Sequence, residues 1–182
     1  FFSSRRRHTR FKCDWSSDVA PPICLRIDGK MQVGMVSAPA LGRRWFGALG
    51  HGAYLRSQTN NFLKERKLQV SKVSKIEDAY LGYSSQDRWS KKNQEDNFEK
   101  LLKKVWRARG FGDFIIHMMV AEGSLDFSME PSLAVWDMAA LIPIINEAGG
   151  TTTSLDGGDP LEEKSLVTTN SLLHSQVLNF LN

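Results

Sequence analysis

Only two cysteines occur, Cys13 and Cys24, and they make neither a metal-binding spacing nor a disulfide framework. A reducing, cytoplasmic setting is therefore the default expectation. No apolar run approaches the roughly 20 residues that a membrane-crossing helix needs, so no membrane partner is expected. The first residues are too rich in arginine, and lack the apolar middle, to be a secretory signal. Internal repeats and low-complexity tracts are absent. Histidine is scarce, and His51, between Gly50 and Gly52, reads as exposed loop because a lone imidazole has no partners for a metal site.

A strong charge of one sign is also lacking, although the formal net charge of +4 suggests one. Residues 1–19 hold Arg5, Arg6, Arg7, Arg10 and Lys12 against Asp14 and Asp18, which leaves 19 basic and 18 acidic residues in the rest of the chain. The stretch FFSSRRRHTRFKCDWSSDV resembles a translated sequencing-adapter read rather than a natural segment. Residues 1–20 are accordingly expected to be a non-native leader. A nucleic-acid partner would rest on that leader alone, and none is expected.

What is present fits one domain: 182 residues, 41% of them hydrophobic. Ile23–Ile27 and Met31–Ala38 read as a hairpin turned at Asp28-Gly29, since both positions tolerate positive φ. Arg44–Leu49 and Ala53–Arg56 form another pair. Ser57–Lys67 is polar and reads as loop, followed by short strands at Leu68–Val70 and Tyr80–Ser84. Gln86–Gln94 reads as a polar connection. Helices are expected over Glu95–Lys104 and Asp113–Ala121, with a strand at Trp106–Arg109 between them. In Leu125–Glu130, period-two alternation puts Leu125, Phe127 and Met129 on one face and Glu130 on the other. Closing strands at Thr151–Ser154 and Leu166–Thr168 precede a last helix capped by Ser171, with His174 exposed on it. Alternating strands and helices of this kind indicate an α/β layered domain.

The chain is organised around Ser128–Ala140, where two carboxylates, Glu130 and Asp137, flank a short apolar crossing. From Asp137, the residues Met138, Leu141, Ile142 and Ile145 follow the spacing of a buried helical face, which Gly149 and Gly150 end. Pro143 should bend that helix near the Ala139 carbonyl, whose donor it removes. A helix start suits a phosphate, and a carboxylate there can share a divalent cation with it. Asp is also a frequent N-cap, and spacing alone favours that reading of Asp137.

Glu130, Trp136-Asp137-Met138-Ala139-Ala140 and Glu147-Ala148-Gly149-Gly150 resemble the C-terminal signature of the inositol monophosphatase family. Arg109-Gly110-Phe111-Gly112-Asp113 and Thr168-Thr169-Asn170 resemble its histidinol-phosphatase branch. The resemblance runs from about Pro22 to the end and implies a sugar-phosphatase sandwich of alternating sheets and helices, N-terminally truncated, over residues 21–182. It implies hydrolysis of a small phosphorylated metabolite by Mg²⁺-activated water, with histidinol phosphate preferred and inositol monophosphate the alternative. By the same resemblance Asp137 is a catalytic metal ligand that also lies near substrate, and Glu130 accepts hydrogen bonds from the substrate. Arg109 and Asp113 would face the leaving group. From the residues alone, Asp113 reads equally as an N-cap and Arg109 as half of a sheet-edge ion pair. A homodimer is implied for the intact protein. The family's Asp-Pro-Ile-Asp-Gly-Thr metal segment has no counterpart here, and one carboxylate cannot hold a magnesium cluster. The chain as written is therefore expected to be inactive. A non-catalytic binder of a phosphorylated metabolite is the reading from another class.

Overall fold

A computed structural model describes residues 22–59, 62–90 and 94–181. The assigned leader and Cys13 lie outside the described residues.

Five strands form an antiparallel meander: β1 (Pro22–Ile27), β2 (Lys30–Ala38), β3 (Arg43–Ala48), β4 (Gly52–Thr59) and β5 (Phe62–Lys67), neighbours in that order. The turn from β1 to β2 takes positive φ at Asp28 (48°) and Gly29 (79°), as the Asp-Gly pair predicts. The loop expected over Ser57–Lys67 is instead the end of β4 and all of β5. Its polar residues belong to an exposed edge strand, cross-linked by the Arg56–Glu65 pair. Phe62 and Leu63 on that edge are 79% and 70% exposed.

The second sheet contains β6 (Tyr80–Tyr83), β7 (Arg107–Gly110), β8 (Phe127–Glu130), β9 (Thr151–Thr153) and β10 (Leu166–Thr169), in the order β7-β6-β8-β10-β9. Both neighbours of β6 run parallel to it, whereas β10 is antiparallel to β8 and β9. Leu68–Val70 forms no strand. It is held by single bonds, from Leu68 N–H to the Ala53 carbonyl and from Val70 N–H to the Ala148 carbonyl.

The helices are α1 (Asp87–Ser90), α2 (Glu95–Lys104), α3 (Phe114–Ala121), α4 (Val135–Met138), α5 (Leu141–Glu147), α6 (Pro160–Glu163) and α7 (His174–Leu181). α1 arises where a polar connection was expected, because Trp89 buries completely and stacks on Phe98 of α2, ring centroids 4.3 Å apart. Ser171 does not cap α7; Asn170 Oδ1 accepts from Leu173 N–H just ahead of that helix. His174 is half-buried rather than exposed, between Thr153 and Thr169.

The layers alternate. Val36, Trp45 and Leu55 of the meander pack on Met118 of α3 and Leu141, Ile144 and Ile145 of α5. Leu81, Phe127, Met129 and Val167 of the second sheet pack on Phe98 and Leu101 of α2 and Val177 and Leu181 of α7. The order is meander, α3 with α5, second sheet, α2 with α7. This is the layered sandwich expected. Gly34 permits the inner contact, since a β-carbon there would collide with the Ala140 carbonyl oxygen and lie 2.7 Å from Pro143 Cγ. The long helix expected from Asp137 onward is broken into α4 and α5 at Ala139-Ala140. Pro143 has no N–H to offer the Ala139 carbonyl, so one turn ends and the next starts afresh.

Candidate active site

Because β6, β7 and β8 are parallel, their C-terminal ends at Tyr83, Gly110 and Glu130 open toward the same side. Ligands of open α/β sheets bind at such ends, where the loops that follow the strands converge. Here those loops deliver Ser84 and Arg88 after β6, Asp113 after β7, and the turn carrying Asp137 after β8.

Glu130 terminates β8, and only 1% of it is exposed. The alternation along this strand is real, but both faces are covered, so the polar face is no less buried than the apolar one. One residue pair earlier on that face, Ser128 Oγ lies 2.9 Å from His117 Nδ1 and 2.6 Å from Thr168 Oγ1. His117 is thus a packed core histidine, and its Nε2 has no partner among the described residues.

The Glu130 carboxylate is held from one side. Ser84 Oγ donates to its Oε2 at 2.5 Å, and Arg88 Nη1 stands 3.7 Å from the same oxygen. Among the described residues no hydrogen bond reaches Oε1. Burial pushes the Glu130 carboxyl up to about 7; the Ser84 bond and Arg88 oppose that rise, while Asp113 and Asp137 add to it. Burial, then Asp113, likewise raises Asp137, against a backbone hydrogen bond at Ala134 and the charge of Arg88. Three carboxylates and one guanidinium therefore share this end of the sheet.

Asp137 is not the N-cap of its helix. It is the third residue of α4, whose N-cap position is Ala134, and it lies exposed beside Trp136, which is 49% exposed. Asp113 does occupy the N-cap position of α3, yet its side chain makes no capping bond. Its backbone sits at φ 59°, ψ −154°, a region other residues leave to glycine. Neither carboxylate is consumed by its helix. Arg109 stays apart: it is exposed on edge strand β7, its Nη1 donates to the Ala108 carbonyl at 2.9 Å, and its charge is not among those acting on Glu130 or Asp137. Nor does it form the sheet-edge ion pair among the described residues.

Sequence reasoning missed Ser84 and Arg88. Serine directly after an apolar strand was a usable signal for the first. Arg88 carried none, since nothing local tells a polar connection that it will meet Glu130, 42 positions away.

The cluster suits a cation, because each of its carboxylates raises the cost of charging another. Among the described residues it is nonetheless incomplete as a site for a divalent cation. Among the described residues no group of three or more His, Cys, Asp or Glu is spaced to hold a metal ion, and hard divalent cations take several oxygen ligands. No helix of the described residues is long and apolar enough to cross a membrane.

The fold and this site define a layered α/β domain with a cluster of carboxylates at the ends of parallel strands. The profile of the inositol monophosphatase family matches residues 16–181, and the chain belongs to that family. A histidinol-phosphatase from Streptomyces coelicolor is 47% identical over 151 residues, covering 82% of this chain and 55% of that protein. The histidinol-phosphatase of Mycobacterium tuberculosis is 43% identical over 168 residues, covering 92% of this chain and 62% of that protein. The crystal structure of the extragenic suppressor protein suhB from Bartonella henselae superimposes with a TM-score of 0.78 at 26% identity, covering 90% of this chain and 61% of that one. The chain thus spans a little over half the length of the curated relatives it matches.

Proposed function

We propose that the protein to which this chain belongs is a phosphoric monoester hydrolase, acting on histidinol phosphate in preference to inositol monophosphate. The observation that carries the preference is Glu130 Oε1, which no hydrogen bond among the described residues reaches, at a strand end shared with the charges of Asp113 and Asp137. An ammonium or imidazolium on the leaving alcohol finds there both an acceptor and opposite charge. A neutral polyol would find only the acceptor. The two histidinol-phosphatases support the same choice.

In this reading Asp137 is a metal ligand close to the phosphoryl group, Glu130 accepts from the substrate, and Asp113 faces the leaving group. Arg109 stands at the outer edge of that side. Magnesium is the proposed cofactor, and its chemistry is to activate water and offset charge on the phosphate. Asp137 alone cannot seat it. The chain by itself is therefore inactive, and the further ligands come from residues it does not include. The free thiol of Cys24 fits a reducing cytoplasm. A non-catalytic binder of the same metabolite is the second reading, favoured by the incomplete metal site.

Two measurements test this. The purified chain, given histidinol phosphate and excess magnesium, should release no phosphate; brisk turnover refutes the dependence on further ligands. The protein extended to its relatives' length should show a higher kcat/KM for histidinol phosphate than for inositol monophosphate. Asp137→Asn in that protein should lower kcat/KM at least about 100-fold, the scale of losing a transition-state electrostatic contact. An extended protein that binds but never hydrolyses would establish the second reading instead.

A further inference from the structure

Among the described residues, Arg88 is the one cation that acts on both Glu130 and Asp137. Its Nη1 bridges two features of the β8 end: it stands 3.7 Å from Glu130 Oε2 and donates to the Ser132 carbonyl at 3.3 Å. α1 is thereby tied to the loop that leads from Glu130 to Asp137. The anchoring of α1 is firm, because its neighbouring residue Trp89 is wholly buried against Phe98. The guanidinium is half exposed, so it reaches the carboxylate from the solvent side, while the Ser84 hydroxyl reaches the same oxygen from the end of β6. The Ser84 hydrogen bond and the Arg88 charge both fall on Oε2, which leaves Oε1 directed elsewhere.

We propose that Arg88 is a positioning residue: standing on Glu130 Oε2 and the Ser132 carbonyl, it orients the Glu130 carboxylate so that Oε1 is left to accept from the leaving group of the ester. This rests on the reading of this strand end as a phosphomonoester site. It adds a residue from α1 whose role is exerted through Glu130, without contact to the substrate. The other charged groups facing Glu130 are Asp113 at the start of α3 and Asp137 on α4; both repel it, and Arg88 is their counterweight.

The test uses the 182-residue chain in EDTA, with carboxyl carbons labelled and the Glu130 signal assigned through Glu130→Gln. In Arg88→Met the Glu130 titration midpoint should rise by about one pH unit, the low end of what an adjacent opposite charge does to a carboxylate, since Arg88 is half in water. Arg88→Lys, which keeps the charge, should restore most of that shift. A role in packing alone predicts the same midpoint in all three proteins, and that result overturns the proposal. An equal rise in Arg88→Met and Arg88→Lys also supports it, because an ammonium cannot span Glu130 Oε2 and the Ser132 carbonyl as the guanidinium does. Titrating L-histidinol and myo-inositol into the same sample separates the two layers of the argument. If Arg88→Met moves the Glu130 midpoint but neither ligand moves the Glu130 signal, the positioning stands and the leaving-group reading falls.

Discussion

Replacing Glu130 with glutamine should make the protein more stable and less useful. The carboxyl is 99% hidden, and burial raises it from 4.5 to about 7. A carboxyl raised in the fold binds its proton more tightly there than in the unfolded chain. Its contribution is fully present below about pH 4.5 and is lost as pH rises through about 7. That interval corresponds to about 3 kcal/mol, the cost of holding the ionised group in place at pH 8. Glu130→Gln retains the shape without the charge. Urea unfolding in EDTA should therefore give equal stabilities near pH 4.5, and a variant more stable than the wild type by about 3 kcal/mol at pH 8. At 182 residues two-state behaviour has to be checked by the coincidence of fluorescence and far-ultraviolet signals. A variant no more stable at pH 8 than the wild type would show that Ser84 and Arg88 fully offset the burial. The reasoning about a carboxylate cluster under strain would then fail. Stability stored against the needs of a site is the usual mark of function.

Three further outcomes follow from the packing. Glu122 is almost buried and accepts from Trp45 Nε1 at 2.7 Å and from Arg43 and Arg66. Glu122→Ala should cost about 2–3 kcal/mol, most of it from the indole left unpaired, since both arginines can return to water; in a Trp45→Phe background the same change should cost visibly less in urea denaturation. Burial lowers His117 to about 3, so its contribution is present above pH 6.5 and lost as pH falls toward 3. His117→Asn should flatten that acid limb, a loss of at most about 3 kcal/mol, when unfolding midpoints are followed from pH 7 to pH 4. Gly34→Ala should destabilise by about 2–3 kcal/mol or more, seen as a lowered melting temperature, because the new β-carbon meets the Ala140 backbone at the start of α5, which cannot move aside.

Local physics was readable along most of the chain. The Asp28-Gly29 turn, the helix from Glu95 to Lys104 and the strand ending at Glu130 follow from φ tolerance and periodicity, which depend on near neighbours only. The departures at β5 and α1 share one cause: polar composition reads as loop, yet an edge strand and a short helix can be polar on every side but one. Whether that one side is covered is not a local property. Trp89 made α1 through Phe98, a residue beyond the segment.

The candidate site divides along the same line. Its two carboxylates, Glu130 and Asp137, were visible as residue types at a spacing, and the family signature around them is a property of contiguous sequence. Their environment was not. That Arg109 stands away while Arg88 comes close, and that the Glu130 carboxylate is held at Oε2, are consequences of β6, β7 and β8 lying parallel. Parallel neighbours bring three separate loops to one end of a sheet, and only the crossover connections between them determine which side chains meet there.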